Sequence, residues 1–177
     1  EIENTLQNLH MKNAKFKVNF TELDFDNWSA NGSENIEFFV ATNLGQKLSG
    51  LAKVASGGEV ARLMLALKVI FFKNIDSQTL VFDEIDTGVG GQVADSVGDC
   101  LKELSKQHQV IVISHQAQVA SKADQHLKIE KTTTSNSTVS TVRQLSGEDV
   151  ISELARMISG KEITPESKKL AQTLLNN

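Results

Sequence analysis

The sequence has few of the residues that build disulfides, thiolate metal clusters and membrane spans. Cys100 is the single cysteine among 177 residues, so the chain can form neither an internal disulfide nor a cysteine-based zinc site, and we expect a reducing compartment. No apolar run approaches the roughly 20 residues of a membrane span, because Lys68 interrupts the richest stretch, 63–72. The first residues also lack the basic and apolar regions of a signal peptide. These absences predict a cytoplasmic protein without a membrane partner.

The charge balance excludes one class of nucleic-acid-binding module. Eighteen basic and 22 acidic side chains give a formal net charge of −4. A module that holds nucleic acid mainly through positive charge needs the opposite balance, although a local basic patch is compatible with these numbers. Hydrophobic residues make up 40% of the chain and charged residues 23%, which is typical of a globular protein that buries a core. The length fits one domain, with at most a small appendage.

The middle of the chain has the pattern of a parallel β-α-β unit. An apolar strand over 79–82 is followed by a polar-faced helix over 92–106 and by a second apolar strand over 110–113. Strands that are apolar throughout are typical of a parallel sheet covered on both faces. The predicted fold class is therefore α/β.

Around this unit the sequence predicts antiparallel strands and further helices. Alternating apolar and polar residues indicate antiparallel strands, 15–20 beside 35–40 and 126–131 beside 138–145. Helical spacing of apolar residues predicts helices within 1–14, over 59–72 and over 148–159. Ser146 is the expected cap of the helix over 148–159, and Gly160 is its expected stop. Pro165 opens the last helix, because proline is favoured at the first helical position.

A glycine-rich turn leads into the helix over 59–72. Ser56, Gly57, Gly58 and Glu59 place uncovered backbone N–H groups and one hydroxyl at the positive end of the helix dipole. Such a turn can bind a phosphate group. The same residues are also compatible with an ordinary helix start, in which the serine caps the helix and the glycines make the turn. The pattern alone leaves both interpretations open.

Two carboxylates and one histidine follow the two apolar strands. Asp83 and Glu84 end the first strand. In phosphoryl-transfer sites of this kind, one acid holds Mg²⁺ and the next orients or deprotonates the attacking water. A charged strand end that faces solvent is the alternative. His115 follows the second strand, and a single histidine is more often a packing or capping residue than a catalytic one. Because the carboxyl ends of parallel strands meet at one sheet edge, however, we expect His115 to lie beside the acids.

The order of these motifs resembles the second half of an ABC-type ATPase head. The counterparts would be a signature loop, a Walker B strand, a D-loop and a switch histidine, at Ser56–Glu59, Asp83–Glu84, Asp86 and His115 respectively. The stretches 51–59 and 82–91 are similar in sequence to the RecN family of bacterial DNA repair proteins, which are SMC-like. Most of the matching residues lie within 51–120, and fewer lie elsewhere. The resemblance implies that the α/β fold is the C-terminal half of such a head.

The resemblance also accounts for a missing motif. The phosphate-binding loop Gly-x-x-x-x-Gly-Lys-Ser/Thr is absent, since the only Gly-Lys pair, at Gly160, lacks the upstream glycine. In RecN-like proteins that loop lies in an N-terminal segment, and a long antiparallel coiled coil follows it. The resemblance therefore implies that residues 1–14 are the stump of a coiled-coil helix and residues 15–177 the C-terminal lobe of the head. The N-terminal half of the same head is the implied partner, without which the segment is expected to be inactive.

The same resemblance implies a role for each site residue. ATP and Mg²⁺ are the implied cofactors, with Asp83 on the metal, Glu84 as general base and His115 against the γ-phosphate. The signature residues Ser56, Gly57, Gly58 and Glu59 would act in trans on nucleotide bound to a second head, and Asp86 would lie at the dimer interface. ATP would join two heads and hydrolysis would release them. The implied outcome is clamping or tethering of DNA in double-strand-break repair and recombination, at the bacterial nucleoid.

Three alternatives come from other classes. The segment could be a non-catalytic docking lobe for DNA or a partner head. It could belong to an ATPase subunit of a different ABC family, such as a transporter, although the sequence after Asp86 differs from transporter D-loops. It could also be a self-contained metal-dependent hydrolase built on Asp83 and Glu84, which would need further metal ligands nearby.

Overall fold

The chain forms two compact units, Glu1–Asp76 and Ser77–Asn177. The computed structural model describes residues 1–54, 56–73, 75, 78–83, 85–86, 88–133, 137–160 and 162–177. Both units combine helices with β-strands, and the second contains a parallel pair, which confirms the predicted α/β class. None of the helices in these ranges is long and apolar enough to cross a membrane.

The first unit is built on a three-stranded antiparallel sheet. Its strands are β1 (Lys15–Glu22), β2 (Glu34–Ala41) and the short β3 (Ser49–Gly50), in the spatial order β1-β2-β3. The register of β1 and β2 runs from Lys15 opposite Ala41 to Glu22 opposite Glu34. The first predicted antiparallel pair is thus confirmed, with slightly longer strands than the alternation indicated.

Two helices complete the first unit, α1 (Ile2–Asn8) and α2 (Gly57–Phe72). Helix α1 is shorter than residues 1–14, because the chain turns at His10, which adopts a left-handed φ of 60°. Arg62 of α2 donates a hydrogen bond of 3.1 Å from Nη1 to the carbonyl oxygen of Leu9. The end of α1 is therefore fastened to the first turns of α2. That residues 1–14 are the stump of a coiled coil stays a prediction.

The second unit contains the predicted β-α-β unit. Strands β4 (Thr79–Asp83) and β5 (Gln109–Ile113) pair in parallel, residue for residue from Thr79 opposite Gln109 to Asp83 opposite Ile113. Helix α3 (Gln92–Leu104) connects them and packs against the short α4 (Ala117–Ala120). The two strands and the helix between them are confirmed within one or two residues of the predicted bounds.

One face of this parallel pair differs from the prediction. Leu80 and Phe82 are buried, as expected for the inner face. On the other face Val81, Ile111 and Ile113 are 55%, 44% and 46% exposed. The prediction of a sheet covered on both faces is therefore wrong for the described chain. Apolar residues occur on both faces of the strands, but no described element covers the second face.

The rest of the second unit is a hairpin and two helices. The hairpin consists of β6 (His126–Thr133) and β7 (Thr138–Leu145), and the helices are α5 (Glu148–Ser159) and α6 (Pro165–Leu175). They enclose a small apolar core around Leu145, Leu154 and Ala171, against which Ala117 of α4 also packs. Both helix positions and the hairpin are as predicted.

The helix ends confirm two predicted signals and correct a third. Gly160 stops α5 with a φ of 81°, and Pro165 is the first residue of α6, which a capping box between Thr164 and Ser167 begins. Ser146 is not the cap of α5: Gly147 occupies that position, with a φ of 52° and no side-chain cap. The chain turns through the glycine there, because a left-handed φ costs glycine little.

Candidate functional site

The glycine-rich turn lies at the start of α2. Ser56 occupies the N-cap position, but its side chain makes no capping hydrogen bond to the helix. Ser56 and Gly57 are exposed, and a Cβ placed on Gly57 would meet nothing within 4 Å. The first N–H groups of a helix have no partner within it, so this end offers unused donors beside an unused hydroxyl. The structure therefore does not show the simple serine cap, and phosphate binding by this turn stays a prediction.

Glu59, in the first turn of α2, is held by the loop that follows β2. Its carboxylate accepts hydrogen bonds from the hydroxyl of Thr42, at 2.8 Å, and from the side-chain amide of Asn43, at 3.3 Å. Thr42 is buried, and its backbone N–H donates to the side-chain oxygen of Gln46 at 3.0 Å. Glu59 thus anchors the helix start, and a negative carboxylate is poorly suited to touch a phosphate itself. Thr42 lies 17 residues upstream, and nothing in the sequence pattern pointed to it.

Asp83 lies at the carboxyl end of β4 and is exposed. The described residues contain no group of three His, Cys, Asp or Glu side chains that could hold a metal ion. The single carboxylate of Asp83 still fits Mg²⁺, since this ion usually keeps several waters and is bound by one or two carboxylates together with substrate phosphates. A self-contained metal-dependent hydrolase would need further ligands, and the described residues give it no support. Glu84, the predicted base, lies outside the described residues.

Asp86 has its carboxylate turned inward, toward the residues that follow β5. The residue is fully buried. Its Oδ2 atom accepts hydrogen bonds from the Ser114 hydroxyl at 2.5 Å and from the backbone N–H groups of His115 and Gln116, both at 3.1 Å. A carboxylate that accepts several hydrogen bonds in a buried position fixes the geometry of its donors. Asp86 therefore holds the turn that carries the histidine, and the sequence had not indicated this contact.

His115 lies directly beside Asp86. Its Nδ1 atom is 3.4 Å from Oδ1 of Asp86, while 67% of its side chain is exposed. A second contact joins the same two segments, since the side-chain amide of Gln116 donates to the carbonyl oxygen of Val89 at 3.0 Å. His115 is the second residue after Ile113, which is the register partner of Asp83. The predicted placement of the histidine and the acid at one edge of the sheet thus agrees with the register.

A groove of about 700 Å³ in the second unit is lined by consecutive residues of β5 and β6. Among the described strands, β5 pairs only with β4, and β6 pairs only with β7. Each of these two strands therefore has one edge that no described strand pairs with, and such edges readily accept another strand. Leu127 and Ile129 of β6 are also exposed.

Two groups of side chains away from these loops have displaced pKa values. Burial, together with the nearby carboxylates of Asp99 and Glu103, raises the pKa of the Cys100 thiol to about 11. Burial alone would raise the pKa of Glu153, but hydrogen bonds from Arg156 and Lys128 outweigh it and lower that pKa. The Cys100 side chain is partly buried, and the ion pair of Lys128 with Glu153 joins β6 to α5, whereas Arg156 pairs with Glu153 within α5.

Solved structures of SMC proteins have a similar fold. The head domain of Smc from Pyrococcus yayanosii, with its coiled coil and joint, has a TM-score of 0.66 at 22% identity and covers 89% of this chain and 28% of that chain. An SMC ATPase studied for ATP-driven dimerisation and DNA-stimulated activation has a TM-score of 0.59 at 22% identity, with 91% of both chains covered. The fold is therefore that of an SMC-type ATPase head.

Sequence similarity is more specific than the fold. The DNA repair protein RecN of Rickettsia typhi is 48% identical over 172 residues, which are 97% of this chain and 30% of that protein. The chain belongs to the RecN family and corresponds to its C-terminal segment. It spans about a third of the length of the curated relatives that it matches. No protein-family model matches it.

Proposed function

We propose that this chain is the C-terminal lobe of an ATP-hydrolysing head that joins a second head when ATP binds and releases it after hydrolysis. In the whole protein this cycle would clamp or tether DNA during double-strand-break repair and recombination at the nucleoid. The observation that carries the proposal is the edge where β4 and β5 end: Asp83 lies there, and His115 is two residues beyond Ile113, the register partner of Asp83. An exposed, uncapped signature turn at Ser56 supports it independently.

Each of these side chains has a distinct role in the proposed reaction. Asp83 would hold Mg²⁺, which neutralises charge on the transferred phosphoryl group, and Glu84 would orient or deprotonate the attacking water. His115 would contact the γ-phosphate through its exposed ring. Ser56, Gly57 and Gly58 would bind the γ-phosphate of nucleotide on the second head through their N–H groups and the serine hydroxyl. Glu59, tied to Thr42, would keep the helix start in place for that contact.

Asp86 would act at the dimer interface through its backbone rather than its carboxylate. The carboxylate is occupied inside the chain by Ser114, His115 and Gln116. Gly88 and Gly90, further along the same loop, are exposed. The loop would therefore face the second head, while the Asp86 side chain ties that loop to the turn behind it.

The N-terminal half of the head is the proposed partner of the second unit. Two features of that unit support it: the exposed apolar face with Val81, Ile111 and Ile113, and the groove lined by β5 and β6, each of which has one edge without a described partner strand. A strand from the missing half would pair with such an edge, and other parts of it would cover the apolar face. The phosphate-binding loop, absent from this sequence, would come from the same half.

ATP hydrolysis and nucleotide-dependent dimerisation test the proposal, measured for the chain alone and for the chain mixed with its N-terminal half. We expect activity only in the mixture. Ser56→Arg should abolish dimerisation and hydrolysis, because a long cation fills the turn at the head interface. Ser146→Arg is the matched control, since Ser146 is exposed and does not cap α5. Hydrolysis by the chain alone that is insensitive to Ser56→Arg would refute the proposal.

A further inference from the structure

We propose that Asp86 is a positioning residue for the imidazole of His115, through a hydrogen bond between Nδ1–H of His115 and Oδ1 of Asp86. The inference rests on the proposed function, in which the exposed end of the ring meets the γ-phosphate. It assigns the carboxylate of Asp86 to the histidine of its own chain.

The first support is the use of the two carboxylate oxygens. Oδ2 of Asp86 accepts three hydrogen bonds, from the Ser114 hydroxyl and from the backbone N–H groups of His115 and Gln116. These bonds hold the backbone of the histidine at a fixed distance from the carboxylate. The position of the ring is therefore set by the same group that faces it.

The second support is the unused oxygen. Oδ1 of Asp86 is buried and has no hydrogen-bond partner among the described residues. A buried acceptor without a donor is costly, at about 1–3 kcal/mol. The polar atom that faces it is Nδ1 of His115, 3.4 Å away, and a small rotation of the ring closes that distance to an ordinary hydrogen bond.

The chemical consequence is a fixed proton on Nδ1. Which nitrogen of a histidine carries the proton is set by the hydrogen bond of the other nitrogen. With Nδ1–H committed to the Asp86 carboxylate, the neutral ring presents the lone pair of Nε2 at its exposed end, where it would accept a hydrogen bond from the water that attacks the γ-phosphate. The same bond removes rotation of the ring about its side-chain torsions, so the ring is preorganised before nucleotide binds.

The pair also joins two loops. Gln116 donates to the carbonyl oxygen of Val89, so the loop after β4 and the turn after β5 are connected at two places. Displacement of the loop around Asp86, by contact with a second head, would therefore be passed to the histidine. This gives dimerisation a direct route to the group that contacts the phosphate.

Asp86→Asn tests the inference, because asparagine has the same shape and can still accept the three hydrogen bonds. Its amide N–H would then face Nδ1 and donate to it, so the ring proton should move to Nε2. We would label the complete protein with ¹⁵N-histidine and read the protonated nitrogen of His115 by NMR, with His115→Asn identifying the signal. We expect Nδ1–H in the unaltered protein and Nε2–H in Asp86→Asn.

Kinetics of the same variants provide the second measurement. In Asp86→Asn the kcat for ATP hydrolysis should fall at least about tenfold, with the KM for ATP changed less than about twofold, as expected when a histidine is held in the wrong tautomer. Ser114→Ala is the control: it removes one donor to Oδ2 but leaves Oδ1 facing Nδ1, so the proton should stay on Nδ1.

The outcomes separate this inference from the proposed function. An unchanged tautomer in Asp86→Asn, an unchanged kcat despite a moved proton, or an equal change of tautomer in Ser114→Ala would each overturn the positioning role. If His115→Ala leaves ATP hydrolysis at its original rate, the proposed role of His115 fails instead. The NMR measurement then still decides whether Asp86 and His115 form the hydrogen bond.

Discussion

The hydroxyl of Thr42 donates a hydrogen bond of 2.8 Å to the carboxylate of Glu59, and this contact joins the end of β2 to the first turn of α2. The two residues are 17 positions apart in the chain, and Thr42 is buried. The start of α2 carries the glycine-rich turn proposed to contact nucleotide. The orientation of this turn therefore depends on an antiparallel sheet that supplies none of the proposed site residues.

Thr42→Val should loosen the start of α2. Valine has nearly the same shape but cannot donate, so the Glu59 carboxylate loses its shortest hydrogen bond, and we expect a loss of about 1–2 kcal/mol in the free energy of unfolding. Nucleotide-dependent dimerisation should weaken as well. Thr42→Ser keeps the hydroxyl and should preserve both properties. Urea denaturation and sedimentation with ATP provide the two measurements, and equal behaviour of the two variants would contradict the anchoring role of Thr42.

Glu84→Gln should slow ATP hydrolysis by complete heads at least about a hundredfold, since a general base or water-positioning group typically contributes that much. ATP binding should persist, so the lifetime of the ATP-joined dimer should lengthen. Glu103→Gln, on the exposed side of α3, is the control and should change neither property. If Glu84→Gln leaves both hydrolysis and dimer lifetime unchanged, the base has been assigned wrongly.

Gly98→Ala should destabilise the second unit. A Cβ at Gly98 would lie 3.2 Å from the carbonyl oxygen of Gln118 and 3.4 Å from Cα of Val119. Those atoms belong to the backbone of α4 and cannot move aside cheaply, so we expect a loss of about 1–3 kcal/mol in the free energy of unfolding. Gly90→Ala is the control, because its Cβ would meet nothing within 4 Å. Thermal unfolding that does not distinguish the two variants would argue against close packing of α3 on α4.

Cys100 should react slowly with thiol reagents. Its pKa is raised from 9.0 to about 11 by burial and by Asp99 and Glu103. Because the thiolate is the reactive form, its fraction at pH 8 should be about a hundredfold smaller than for a thiol of pKa 9.0. Alkylation by iodoacetamide should rise about tenfold per pH unit up to pH 10. A rate that levels off near pH 9 would show that the pKa is not raised.

Patterns within short stretches of the sequence determined the elements of the fold. The apolar runs that became β4 and β5, the helical spacing of α3 and the alternation of β6 and β7 all depend on neighbouring residues. Two local helix-end signals succeeded, Gly160 at the end of α5 and Pro165 at the start of α6, whereas the predicted cap at Ser146 was wrong by one residue. Parallel pairing then followed from the order strand, helix, strand, and it predicted that His115 lies near the end of β4.

Tertiary structure alone decided how the site residues are used. The inward carboxylate of Asp86 depends on Ser114, His115 and Gln116, which lie 28 to 30 positions later in the chain. The hydrogen bond between Thr42 and Glu59 likewise joins distant segments. The exposed face of β4 and β5 could not be predicted either. Apolar residues show that a strand face can be buried, but they do not show which element buries it. Local propensities set the elements, whereas contacts between distant residues depend on how those elements pack.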